Sequence, residues 1–316
     1  MAGDGVIIEV AIHELVDKAS NPNVPYGPEE VAVDALACIQ EGITLLHFHA
    51  RDPRTGEQRW HDDGTYAEAI GRIRELGAPA DLPWYPTYPG VRPGVAVSES
   101  MRHVAALTAA PVGLRLAAID VGSFNLSSYN PTTHELLSAG SVKVLPHSLF
   151  EEFSQFCRHQ GLRPYLGVYE AGHLRHLAAY LDKGWIEPPL AIKFFFSELH
   201  PYGLPPVALS VEIYAELLDV VLPGVEVAWF VQCYGKGIWD LARPALDHGG
   251  HLRVGLGDYH PWDWPDTSGD QPTNAELVRR AAGLAATAGR PIATVAQSRQ
   301  ALGLAGGTGG AGEKAS

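Results

Sequence analysis

PEEVAVDALACIQEGITLLHFHARDP, Pro28 to Pro53, carries one complete helix-to-strand unit. Pro28 suits a first helical turn, where its missing N–H is no loss, and Gly42 suits a helix stop. Ile43–His49 then reads as a short apolar strand, too short for another helix. The same alternation repeats outward in both directions. Candidate strands are Val6–Ile12, Ile43–His49, Pro83–Thr87, Ala117–Val121, Pro164–Tyr169, Leu190–Ser197, Val225–Val231 and Leu252–Gly257. Helical patterns separate them, among them TYAEAIGRIRELG, SESMRHVAALTA, SLFEEFSQFCRHQG, HLRHLAAYLDKG, LSVEIYAELLDVV, GIWDLARPALDHGG and NAELVRRAAGLAATAG. Each strand is followed by one helix. Eight such units, with strands apolar almost throughout, predict an α/β fold of the (β/α)8, or TIM-barrel, type. An open doubly wound sheet is the alternative. It would lean on a Gly-rich phosphate loop after the first strand, and none is present; Gly235-Lys236-Gly237 is a weak signal. Residues 1–304 read as one catalytic barrel, and the Gly/Ala-rich stretch 305–316 as a flexible tail.

The bulk numbers agree with that size. The chain has 316 residues, of which 46% are hydrophobic, enough for a large core. Its 36 acidic and 23 basic residues give a formal net charge of −13, which argues against nucleic acid or an anionic membrane as a partner. Cys38, Cys157 and Cys233 are odd in number and far apart. They argue against a disulfide framework and a thiolate zinc site, and fit a reducing cytoplasm. No apolar run long enough for a membrane helix appears, and the first ten residues lack a signal-peptide pattern.

Chemistry concentrates at strand exits, where barrel enzymes place it. HFHARDP, His47 to Pro53, sets His47 and His49 two apart at the end of the second strand. Such side chains share one face, about 7 Å apart, and neutral imidazoles so placed can grip one divalent ion. The ordinary use of such a pair, taken alone, is as two hydrogen-bonded barrel-lining histidines. Arg51 and Asp52 add polarity to the same exit. At the end of the eighth strand, RVGLGD places Arg253 near Asp258, an arginine-held carboxylate suited to general base or to a plain ion pair. In a barrel, the second and eighth strands are separated only by the first, so both exits can face one cavity. Thr87 at the third exit, Asp120, Ser123 and Asn125 at the fourth, Glu170 and His173 at the fifth, and His13 and Glu14 at the first add polar groups, each with an ordinary structural use available. His260 is a possible further metal ligand or an exposed loop histidine. Tyr88, Tyr259, Trp262 and Trp264 could face an apolar or cationic substrate tail, or simply pack.

Together these stretches resemble the β-keto acid cleavage enzyme family. The resemblance is carried by NPNVPYGPEE, EGITLLHFHARDPRTGE, LPWYPTYPG, IDVGSFN, GLRPYLGVYEAGHL, GGHLRVGLGD and TNAELVRRAAGLAATAGRPIAT, and runs from about residue 6 to about residue 304. It implies a zinc barrel, a homo-oligomer (usually a tetramer), acting on a β-keto acid with acetyl-CoA to give acetoacetate and a new acyl-CoA. It implies zinc on His47 and His49, Arg253 and Asp258 as the deprotonating pair, and Glu14, Thr87 and Glu170 as substrate contacts. Gly167 is the alternative position for that last glutamate. One departure stands out. The family pattern has a glutamate as third zinc ligand where this chain has Gly257. His260, another carboxylate or water could fill the place, or the ion could bind weakly. A barrel aldolase or hydrolase without CoA, and a metal-poor binding protein, are the rival readings.

Overall fold

The computed structural model describes residues 5–130, 132–235, 237–258 and 271–304. Strands β1 (Ile8–Ala11), β2 (Leu45–Phe48), β3 (Trp84–Pro86) and β4 (Leu116–Asp120) come first. A ribbon of short strands follows, with β5 (Phe124–Asn125) antiparallel to β8 (Val142–Lys143) and β6 (Ser128–Asn130) antiparallel to β7 (Glu135–Leu137). Then come β9 (Arg163–Val168), β10 (Leu190–Ser197), β11 (Val227–Tyr234) and β12 (His251–Val254). The helices are α1 (Pro28–Glu41), α2 (Asp63–Glu75), α3 (Val97–Ser100), α4 (Arg102–Leu107), α5 (His147–Gln160), α6 (His173–Asp182), α7 (Ala208–Val221), α8 (Ile238–Asp247), α9 (Asn274–Thr287) and α10 (Val295–Ala301).

Eight strands form one parallel sheet in the order β3-β2-β1-β12-β11-β10-β9-β4. The sheet curls until β3 and β4 meet without a ladder between them. Tyr88 spans this seam: its hydroxyl donates to Asp120 Oδ2 at 3.2 Å and accepts from Asp120 N at 3.1 Å. The structure is thus a nearly closed (β/α)8 barrel. All eight expected strands are present, and β12 and β2 flank β1 as anticipated.

The strand pleat sorts the core into layers. Ile8, Val10, Leu46, Phe48, Ile119, Leu166, Ile192, Phe194, Val231 and Val254 face outward, under the helices. Ile7, Leu45, Tyr85, Leu116, Tyr165, Ala191 and Phe230 fill the barrel's lower interior, and Leu302 and Leu304 plug it from below. Those two follow α10, a helix absent from the expected pattern. Its Thr294/Gln297 capping box starts it. Two other details differ from expectation. The SESMRHVAALTA segment breaks at Met101 into α3 and α4. The fourth strand leads into the ribbon before its helix, so the one-strand-one-helix rule fails there. Among the described residues no helix is long and apolar enough to cross a membrane. The expected tail from 305, and His260, Tyr259, Trp262 and Trp264, lie outside the described residues.

Candidate active site

Above the apolar floor, the interior positions turn polar. Register pairs Glu9 with Arg253 across β1 and β12, and Ala11 with His47 across β1 and β2. Glu9 is fully buried and gathers Tyr165 (hydroxyl to Oε2, 2.5 Å), Tyr85, Lys193 (3.3 Å) and Arg253 (3.1 Å). Burial alone would raise its pKa; Lys193 and Arg253 overcome this and hold it at about 2. Lys193 also donates to the Tyr85 hydroxyl at 2.7 Å, and its burial lowers its pKa to about 8.

Arg253 is the hub. Its Nη1 donates to Glu9 and to Tyr85 Oη (2.9 Å), its Nε and Nη2 grip Asp258 (3.0 Å to Oδ2 and 2.7 Å to Oδ1), and Nη2 also reaches Glu14 Oε1. Asp258 ends a short 3-10 turn, Leu256–Asp258, which points its carboxylate back at the arginine. Gln232 Nε2 donates to it at 3.3 Å. Burial raises the Asp258 pKa to about 6, with Arg253 pulling the other way. A carboxylate so poised is ionised near neutrality yet retains basicity, as a general base requires.

His47 and His49 leave β2 on one side of the backbone, with ring centroids 5.1 Å apart. Each has its Nδ1 engaged. His47 Nδ1 lies 3.0 Å from the Tyr85 carbonyl oxygen, so Nδ1 is the protonated nitrogen. His49 Nδ1 lies 2.7 Å from Gln58 Oε1, whose amide is fixed by donating to Ala50 O at 3.1 Å. Both rings therefore turn an unprotonated Nε2 to the same spot. Burial lowers both pKa values, that of His49 to about 3. Opposite them stands the Glu14 carboxylate, 3.3 Å from His47 Nε2 and 3.6 Å from His49 Nε2. Burial would raise its pKa, but Arg253 keeps it well below the usual carboxylate range. Two bare imidazole lone pairs facing a carboxylate, with His49 Nε2 buried and without a hydrogen bond, form a donor set suited to a divalent cation. The charges agree. Three carboxylates (Glu9, Glu14, Asp258) against two cations (Lys193, Arg253) leave one net negative charge in a largely buried cluster.

Residues 5–304 match the β-keto acid cleavage enzyme family. The chain belongs to the β-keto acid cleavage enzyme family. The 3-keto-5-aminohexanoate cleavage enzyme of Fusobacterium nucleatum subsp. nucleatum is 26% identical over 300 residues, covering 92% of this chain and 94% of that protein. The 3-oxoadipate:acetyl-CoA acetyltransferase of Cupriavidus necator is 26% identical over 299 residues, covering 94% of each. Among solved structures, apo ObcA superposes with a TM-score of 0.61 at 16% identity, covering 89% of this chain and 66% of ObcA, and shares the fold.

For this β-keto acid cleavage family member, the structure brings Glu14, His47, His49, Arg253 and Asp258 together. Thr87 sits half-buried at the β3 exit, its backbone held by Tyr66 and His103. Glu170 stands apart. Its carbonyl accepts from His173 N, and no hydrogen bond or ion pair joins it to the site among the described residues. At Gly167, a Cβ would lie 3.0 Å from Asp120 Oδ1, so that interior position has no room to spare. Arg51 and Asp52 do structural work. Arg51 reaches the carbonyls of Glu14, Val16 and Gly56, pinning the first loop, and Asp52 caps the next turn through Arg54 N and Thr55 N. Glu9, Gln58, Tyr85, Tyr165, Lys193 and Gln232 escaped the sequence reading. Glu9 and Lys193 had left a trace: each is a lone charge inside an otherwise apolar strand, VIIEVAI and LAIKFFFS.

Proposed function

We propose that this protein cleaves a β-keto acid by acyl exchange with acetyl-CoA, producing acetoacetate and a new acyl-CoA. One observation carries the reading: the arginine-held carboxylate Asp258 and the imidazoles His47 and His49 are joined through a single side chain, Glu14. The family membership supports the reaction class. The related enzymes' names describe 3-oxo acids with different tails, an amine in one and a second carboxylate in the other.

His47 and His49 would hold a divalent ion, with zinc the ion expected for imidazole donors in a buried site. When bound, it supplies Lewis acidity toward the keto oxygen. Asp258 removes the proton from the carbon between the two carbonyls. That carbon bonds to the acetyl carbon of acetyl-CoA, releasing CoA thiolate. The thiolate adds to the original keto carbon, the carbon–carbon bond breaks, and the departing enolate regains the proton from Asp258 as acetoacetate. Arg253 fixes Asp258 through two nitrogens and places positive charge where negative charge develops. Glu9 and Tyr85 accept from Arg253 in turn, and Lys193 donates to both of those acceptors, which preorganises the pair.

A coupled assay with acetyl-CoA and a panel of β-keto acids tests this reading. Acetoacetate release that requires acetyl-CoA is expected. Cleavage independent of acetyl-CoA would favour an aldolase or hydrolase, and tight keto-acid binding without turnover would favour a binding protein.

A further inference from the structure

We infer that Glu14 is the carboxylate ligand of the divalent ion, and that Gly257 is what allows it to be. The inference rests on the metal reading above and assigns the donor that two histidines alone do not supply, since catalytic zinc sites usually have three protein ligands. Glu14 is reached from the β1 exit through a backbone φ of 39°, in the left-handed region that non-glycine residues seldom occupy. That conformation and the Arg51 clamp aim its carboxylate inward. Tetrahedral bonds of about 2.1 Å place donor atoms about 3.4 Å apart. Glu14 Oε1 lies 3.3 Å from His47 Nε2 and Glu14 Oε2 lies 3.6 Å from His49 Nε2, so the carboxylate faces both rings, and one donor atom from each of the three residues falls within 4.8 Å of the others.

Position 257 competes for the same volume. A Cβ there would lie 2.6 Å from Glu14 Cγ, 3.0 Å from Glu14 N and 3.1 Å from Ala11 O. An inward Glu14 and any side chain at 257 cannot coexist without displacement. A carboxylate can therefore enter from the first strand exit or from the eighth, but not both, and this chain uses the first. Asp258 is no substitute, because Arg253 and Gln232 already hold it. Glu14, committed to the ion and to Arg253, is thereby reassigned from the substrate-tail contact expected of it.

Equilibrium dialysis with zinc alone, followed by metal analysis, tests this without any activity measurement, and cobalt(II) absorption reports the ligand field. The parent should bind about one ion per chain. Glu14→Gln should fold normally and bind zinc at least about a hundredfold more weakly. Gly257→Ala should also weaken binding, because the added methyl displaces Glu14. In Glu14→Ala/Gly257→Glu the carboxylate returns from the opposite loop, and affinity should recover to within about tenfold of the parent. Parental zinc affinity in Glu14→Gln would overturn the inference while leaving the metal reading intact. A folded double variant binding no better than Glu14→Gln would overturn the exchange of positions. A parent that takes up neither ion would overturn the metal reading itself.

Discussion

Asp34 should make stability fall as pH rises toward 7. It sits on α1, half-buried, and receives Asn274 Nδ2 at 2.7 Å. Asn274 also donates to Ile12 O at 2.8 Å and accepts from Leu256 N at 2.7 Å. One buried amide thus ties α1 to the loops that carry Glu14 and Asp258. Burial raises the Asp34 pKa to about 7. A carboxyl group binding its proton more tightly when folded than when unfolded gives a stabilisation complete below about pH 4 and lost as pH climbs through 7. A shift of roughly 3 pH units corresponds to about 4 kcal/mol at most, and partial solvent access reduces this to roughly 2 kcal/mol. Asp34→Asn keeps the shape and an acceptor for Asn274 but cannot ionise. Relative to the parent, its stability should improve by roughly 2 kcal/mol between pH 4.5 and pH 8. Thermal or urea unfolding of both proteins across that range measures the difference, and groups titrating alike in both cancel. Parallel pH profiles for the two proteins would refute the reasoning.

Other perturbations address the site itself. Asp258→Asn should retain bound zinc while turnover drops about 10²–10⁴-fold, and undiminished turnover would remove Asp258 as the base. Gln58→Leu removes the acceptor that fixes the His49 ring, so zinc affinity measured by chelator competition should fall about 10–100-fold; an unchanged value would show that the ring needs no such support. Gly255→Ala should destabilise by about 1–3 kcal/mol or more, because its φ is 139° and a Cβ would lie 2.2 Å from the Ala11 carbonyl oxygen. An unaltered melting temperature would mean that the β12 and β1 exits are not packed so closely.

The barrel was legible because period and punctuation agree. Pro28 and Gly42 bound α1, and Gly42 adopts φ 111° as a helix-ending glycine should. The His47/His49 pair was legible because a two-residue spacing on a strand fixes a shared face whatever lies around it. The buried network was not. Glu9, Tyr85, Tyr165, Lys193 and Arg253 come from five strands spread over most of the chain, and only closure of the sheet makes them neighbours. The role of Gly257 was hidden for a similar reason. The family resemblance leads one to expect a carboxylate there, whereas in the fold a Cβ at 257 would run into Glu14. A polar residue just beyond a strand end, such as Glu170, points wherever its loop directs it, which strand periodicity does not fix.

The most direct test is turnover of acetyl-CoA plus the best β-keto acid, measured as zinc is titrated into metal-stripped protein. Acetoacetate production should rise in proportion to bound zinc and level off near one ion per chain. Full turnover in the stripped protein, or none at saturating zinc with every keto acid tried, would contradict the account.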